Sequence, residues 1–448
     1  SKNSGYTVEE LIKSNKSFVY FASIQDLRGS DTVGGKFDKN NAAFSLDWDF
    51  VIVDEAHEGT TTSLGNDVVK NIVKEGKTKF LALSGTPFNI LGDYNDNIYT
   101  WDYVMEQKSK DEWDELHFGD SNPYAELPEL KIFTFDIGKI LSNDSYVELE
   151  DKAFNFREFF RVWTGDIKFD HKQMPNDTEI GDFIHKNDIL SFLNLITKID
   201  KDNKYPYSNE KYRDLFKHSL WMVPGVKEAK ALSKMLKCHQ LFGNGAFNIV
   251  NVAGDGDEEE KSDEALNKVR GAIKNAGSYG YTITLSCGKL TTGVTVPEWT
   301  AVFMLSGSFS TSAANYLQTI FRVQSPCNTD GKIKNCCYVF DFAPDRTLKM
   351  VADSVAISAK AGKTDKRIMG EFLNYCPVVA IDGTMMKKYD TNKLLQQLKK
   401  AYAERAVQNG FDDNNLYNEN LLRLDEIDIE KFTDLKGIVG ASKAAPKS

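Results

Sequence analysis

The sequence predicts an α/β protein with two parallel-sheet halves, a mainly helical insertion and a helical C-terminal segment. Three observations carry this. Short apolar runs end in polar tips at Phe50–Asp54 and Phe80–Ser84, with a helical stretch near 64–75 between them, which is the spacing of a βαβ unit. A second series of such runs, alternating with helical segments, starts at His218. Several runs are continuously apolar, the pattern of strands buried on both faces of a parallel sheet.

The elements follow in order. Phe18 to Gln25 reads as a strand with Ser23 and Gln25 at its polar end. The strands near 50–54 and 80–84 come next, and Lys131 to Phe135 is expected to close this first domain, residues 1–142. Aromatic and charged residues interleave from about 100, and 143–214 is read as the helical insertion. Within it Phe154, Phe156, Phe159, Phe160 and Trp163 approach helical spacing, which predicts a buried face rather than a base-stacking platform. The second domain, 215–364, runs through strands at 218–224, 247–252, 281–286, 300–305 and 337–342, with helices at 226–237 and 262–276. The acidic run Asp255 to Glu264 reads as a solvated loop. Residues 365–448 read as helical and charged, ending in a disordered small-residue tail.

At 448 residues the chain is too long for one ordinary core, and its 41% hydrophobic and 27% charged content is that of a globular protein. No run approaches the ~18 apolar residues of a membrane span, and no signal peptide opens the chain. The six cysteines form no C-x-x-C pair, which suits reduced thiols and a cytoplasmic protein. A net charge of −10 argues mildly against nucleic acid, although a phosphate grip needs only a local basic track.

The first strand ends in Asp54-Glu55-Ala56-His57 and the second in Ser84-Gly85-Thr86-Pro87. Open parallel sheets present their chemistry at such carboxyl ends. Asp54 suits a Walker-B role, holding a water of Mg²⁺, and Glu55 suits orienting the water that attacks a γ-phosphate. In the second half, Leu285 to Pro297 contains Thr291-Thr292-Gly293-Val294-Thr295, and Gln318-Thr319-Ile320-Phe321-Arg322 follows. Hydroxyls beside a flexible glycine can approach phosphate closely. Asp341 and Asp345 with Arg346 and Lys349 lack the strand spacing of a nuclease cluster.

Together these segments resemble the motor core of superfamily 2 helicases and translocases, over roughly 18–135 and 215–345. The wording of Ser-Gly-Thr-Pro-Phe, Thr-Thr-Gly-Val-Thr-Val-Pro and Gln-x-x-x-Arg is most similar to motor subunits of type I and type III restriction-modification enzymes. The resemblance implies two RecA-like domains, the first truncated, with ATP and Mg²⁺ in the cleft between them. It implies that Asp54, Glu55, His57, Gln318 and Arg322 are catalytic, with Arg322 as an arginine finger and His57 coupling the domains. Asp54, Glu55, Gly293, Thr295 and Arg322 would contact the nucleotide, and Asp54 the metal. Ser23, Gln25, Thr291 and Thr292 would grip the nucleic-acid backbone, and Ser84 and Thr86 would couple nucleotide state to that grip. The implied partners are double-stranded DNA and a nuclease, methyltransferase or specificity domain or subunit.

Three departures stand against the pattern. No Walker-A loop occurs: Gly76-Lys77-Thr78 lacks the upstream glycine and leads into a strand, so the chain is expected to begin inside the first motor domain. Ser325 stands where a second motif VI arginine is usual, and Thr295 where an acidic residue is common. These leave two rival readings, an ATPase-inactive binding or scaffold module with the same fold, and an RNA helicase.

Overall fold

The computed structural model describes residues 8–14, 16–37, 40–56, 63–85, 99–135, 154–165, 177–199, 205–254, 262–291, 294–307, 313–329, 331–343, 346–347, 376, 378–382 and 385–388. The chain divides into two units, Ser1–Tyr99 and Thr100–Ser448.

In the first unit β1 (Phe50–Val53) and β2 (Lys79–Ala82) pair in parallel, with Ile52 opposite Leu81. The helix Ser63–Ile72 connects them, as the βαβ spacing requires. Leu27, Val33, Ala43, Phe44 and Val68 form a small core with Tyr20, Trp48 and Ile72 against it. The strand expected at 18–25 does not form. Residues 16–23 join no ladder, and Ile24–Arg28 is a helix whose N-cap is Ser23. The Ser23 hydroxyl oxygen accepts the Asp26 amide at 3.1 Å, which satisfies one of the helix's orphan donors. Upstream, Phe18 and Tyr20 pack their rings on Trp48 at 5.7 and 6.0 Å. Side-chain packing and a helix cap thus take the place of strand pairing.

The second unit holds β3 (Glu129–Phe135), β4 (His218–Met222), β5 (Phe247–Asn251), β6 (Tyr281–Ser286), β7 (Ala301–Met304), the short hairpin β8 (Asn328–Thr329) and β9 (Lys332–Ile333), β10 (Cys336–Asp341), β11 (Val378–Asp382) and β12 (Met385–Lys388). Eight of these form one sheet in the order β12-β11-β3-β10-β7-β4-β6-β5. Only β12 runs antiparallel to its neighbour. β4 and β7 are buried along their whole length and β6 and β10 over most of theirs, Leu220, Val302, Ile283 and Val339 among the buried residues, as parallel strands with both faces covered must be.

Two expectations change here. Lys131 to Phe135 does not close the first domain: β3 lies between β10 and β11, with Phe133 opposite Phe340 and Val379. The strand is apolar enough for either sheet, and its partners arrive from much later in the chain. The segment after 365, read as helical, contains β11 and β12, which extend the same sheet. The described residues of 143–214 also join this unit's core. Phe154, Phe156, Phe159 and Phe160 are buried there with Phe183 and Phe192, as their spacing predicts, although the helix is only Phe156–Phe159. Phe192 meets Phe342 edge-on at 5.2 Å, directly beyond β10.

His218 opens β4 with its Nδ1 3.0 Å from the Thr282 hydroxyl of β6. Burial, with the neighbouring Lys217 charge, lowers its pKa from 6.5 to about 4. The unfolded chain therefore binds the proton more readily, and stability is lost as pH falls from about 6.5 to about 4. The loss should amount to roughly 2–3 kcal/mol at the acid end of that window. Thermal melting across pH 4–7 should show this slope, and His218→Asn should flatten it.

Candidate functional site

In the first unit the acidic tip is a tight turn. Glu55 adopts φ 48°, a left-handed conformation, and its amide donates to Asp54 Oδ1 at 2.9 Å. The next amide, of buried Ala56, donates to the Leu83 carbonyl at 2.9 Å, and Leu83 donates back to Val53 at 2.8 Å. These bonds fasten the turn to the end of β2. Asp54 and Glu55 are exposed, and half-buried Ser84 ends the neighbouring strand. Two polar tips thus sit side by side at the carboxyl ends of adjacent parallel strands. An exposed Asp54 carboxylate suits Mg²⁺, which usually takes one or two protein carboxylates and keeps waters and phosphate oxygens. Among the described residues no three His, Cys, Asp or Glu converge on a metal position. His57 and Thr86 lie outside the described residues. Ser23 caps a helix rather than ending a strand; because its oxygen accepts there, its hydroxyl proton can still be donated. Gln25 lies in that helix.

In the second unit the segment after β6 folds back on itself. Ser286 Oγ donates to the Lys289 carbonyl at 2.5 Å and accepts from the Gly288 amide at 3.3 Å. Gly288 has φ 137°, and Leu290 has φ 64° with its side chain buried. Burial of Leu290 holds a backbone conformation that costs roughly 1–2 kcal/mol for a residue with a Cβ. Thr291 Oγ1 donates to the Gly288 carbonyl at 2.6 Å, so its proton is committed inside the loop. Thr295 is exposed. Thr292 and Gly293 lie outside the described residues.

The helix Ala313–Ile320 passes into a 3₁₀ turn, Phe321–Val323. Gln318 is buried, and Arg322 Nε donates to its backbone carbonyl at 3.1 Å. Arg322 Nη1 reaches the Val294 carbonyl at 2.8 Å. Arg322 therefore ties the two candidate motifs of this unit together. Phe321 stacks on Tyr103, at the start of the helix Tyr103–Leu116, with ring centres 6.0 Å apart. Glu106, one turn along, has its pKa raised by burial and by the charge of Asp102.

One polar cluster has a role that its sequence pattern did not disclose. Arg346 Nη2 and Nε meet Asp341 Oδ1 and Oδ2 at 2.6 and 3.2 Å, and both side chains are buried. The guanidinium also donates to the carbonyls of Met304, at 3.0 Å, and Ser306. Thr347 donates to Asp341 at 2.8 Å, and the ring of Tyr316 lies 5.7 Å from the guanidinium carbon. Burial opposes the charge on Arg346, but the charge and hydrogen bonds of Asp341 outweigh it and raise its pKa. The pair fixes the ends of β7 and β10 to the helix that leads into Arg322. Asp345 and Lys349 lie outside the described residues.

The parallel α/β fold with these motifs at its strand ends resembles a superfamily 2 helicase-like core. No family model matches the chain. It is 26% identical, over 93% of its length, to a Mycoplasma pneumoniae protein described as the C-terminal part of a candidate type II restriction enzyme and methyltransferase. The chain spans 64% of that relative's length. Among solved structures it aligns with the ATP-dependent Type ISP restriction-modification enzyme LlaBIII bound to DNA, at 13% identity and a TM-score of 0.44 over 81% of this chain and 23% of that one. It also aligns with S. cerevisiae Dbp5 bound to RNA and ADP BeF3, at 13% identity and a TM-score of 0.30 over 79% of this chain and 63% of that one. The sequence match, to a restriction-modification protein, agrees with the resemblance carried by the motifs. Among the described residues no helix is long and apolar enough to cross a membrane.

Breaking the buried pair should be costly while replacing it whole should not. Arg346→Met should destabilise the second unit by about 3–5 kcal/mol, and Asp341→Leu in the same chain should restore most of that loss. Urea denaturation of the two variants against the parent chain checks both values.

Proposed function

We propose that this chain is the motor part of a restriction-modification protein that hydrolyses ATP to move on double-stranded DNA. The observation that supports it best is the acidic turn closing β1, with two exposed carboxylates on a backbone anchored to β2. In this reading Asp54 holds Mg²⁺ through water, and the metal neutralises charge on the β- and γ-phosphates when it is bound. Glu55 orients the attacking water. Arg322 stabilises charge on the transferred group, for which its planar fork is suited. Gln318 positions the nucleotide or the water, and Gly293 and Thr295 contribute to nucleotide contact. His57 serves coupling between the units, as do Ser84 and Thr86 between nucleotide state and DNA grip. Ser23, Gln25, Thr291 and Thr292 hold the DNA backbone. Thr291 must exchange its internal bond to Gly288 for one to phosphate. A nuclease, methyltransferase or specificity part acts with this motor.

A second reading, a scaffold that keeps the fold without turnover, is favoured by Ser325 and by the lack of a phosphate-loop pattern in these 448 residues. DNA-stimulated ATP hydrolysis by the intact gene product separates the two. Glu55→Gln should lower kcat by at least ~10²-fold while nucleotide binding persists. Unchanged turnover in that variant would reject the role given to Glu55, and no turnover in the parent protein would favour the scaffold. Stimulation by single-stranded RNA in place of duplex DNA would instead point to an RNA helicase.

A further inference from the structure

We infer that Lys334 is a positioning residue that sets the pose of Arg322 by binding the two segments around it into one block. Lys334 follows β9 and has no part in any motif. Its ammonium donates to three backbone carbonyls, Pro297 at 2.7 Å, Val323 at 2.9 Å and Trp299 at 3.1 Å. Pro297 and Trp299 continue the segment that begins with Val294, and Val323 ends the 3₁₀ turn that carries Arg322. Lys334 and Arg322 thus cross-link the same two stretches of backbone. Arg322 does so through Val294 and Gln318.

The chemistry suits lysine. An ammonium has three donors and no acceptor, and here each donor has its own carbonyl. Its positive charge also lies at the carboxyl end of the short 3₁₀ turn, where unpaired carbonyls concentrate negative potential. Burial holds its pKa below the usual lysine value. The attachment points are firm, because Val296, Trp299 and Val323 are wholly buried. Lys334 is itself anchored, its amide donating to the Cys327 carbonyl at 2.9 Å across the base of the β8–β9 hairpin. Without the ammonium three carbonyls lose their donor, and the Arg322 turn loses a tie to the segment that begins with Val294. The consequence for catalysis rests on the proposed role of Arg322, whereas the mechanical coupling does not.

The test has two arms in the intact gene product. Hydrogen exchange without nucleotide should be faster in Lys334→Met at 294–300 and at 321–327 together, by at least ~10-fold, while the amides of β4 keep their protection. Unchanged exchange in either segment overturns the inference, as does an equal rise throughout the unit. In ATP hydrolysis Lys334→Met should lower kcat at least ~10-fold with KM within ~3-fold, and it should add nothing in an Arg322→Ala background. Additive losses, or turnover within ~2-fold of the parent, overturn the link to catalysis. If Arg322→Ala itself turns over normally while the exchange result holds, the role of Arg322 fails and the coupling stands. Should Lys334→Met not fold, Lys334→Gln, which keeps two donors, should show the same paired exchange at smaller amplitude, and its absence counts equally against the inference.

Discussion

Two parallel strands cannot be joined by a tight turn, so each parallel neighbour pair in the large sheet must be separated by a crossover. That constraint governs the second unit. From β4 to β7 and again at β10 the chain leaves each strand of the large sheet at the same edge, and polar residues gather there. Ser286, Ser306 and Asp341 all lie at or just past carboxyl ends of parallel strands. Strands buried on both faces leave almost no freedom of register, since a one-residue slip would swap the faces of every side chain and press each into space packed for another. The position of each strand end is therefore fixed by packing deep in the sheet.

The polar devices around the sheet, at both ends of its strands, work mainly through backbone carbonyls. Arg322 uses those of Gln318 and Val294, Arg346 those of Met304 and Ser306, and Lys334 those of Pro297, Trp299 and Val323. A carbonyl at the end of a strand or turn has lost its ladder or helical partner and is costly to bury unpaired. A cation supplies the missing donor and locks two segments at once.

What the sequence disclosed follows the same logic. Between 218 and 342 the strands of the large sheet and the helices Val226–Cys238 and Ser262–Ala276 were legible within about two residues, because buried parallel strands leave apolar runs and these helices leave amphipathic ones. The helix Ala313–Ile320 and the β8–β9 hairpin were not read. The place of β3 was not, because pairing with β10 and β11 joins residues far apart and leaves no local trace. Phe18 to Ser23 misled for the opposite reason: an apolar run satisfied by rings on Trp48 looks the same in one dimension as one satisfied by a ladder. Asp54, Glu55, Gln318 and Arg322 announced themselves through residue type and spacing. Lys334 could not, since its partners are carbonyls, which every residue possesses.

The left-handed turn at Glu55 has an effect beyond local geometry. Its amide is aimed at the side chain of the preceding residue, so one oxygen of Asp54 is already engaged and the carboxylate is restrained in rotation. Folding has met that ordering cost in advance, together with the strain of a non-glycine residue in this conformation. Anything arriving at the end of β1 meets a carboxylate with a set bearing rather than a free rotor.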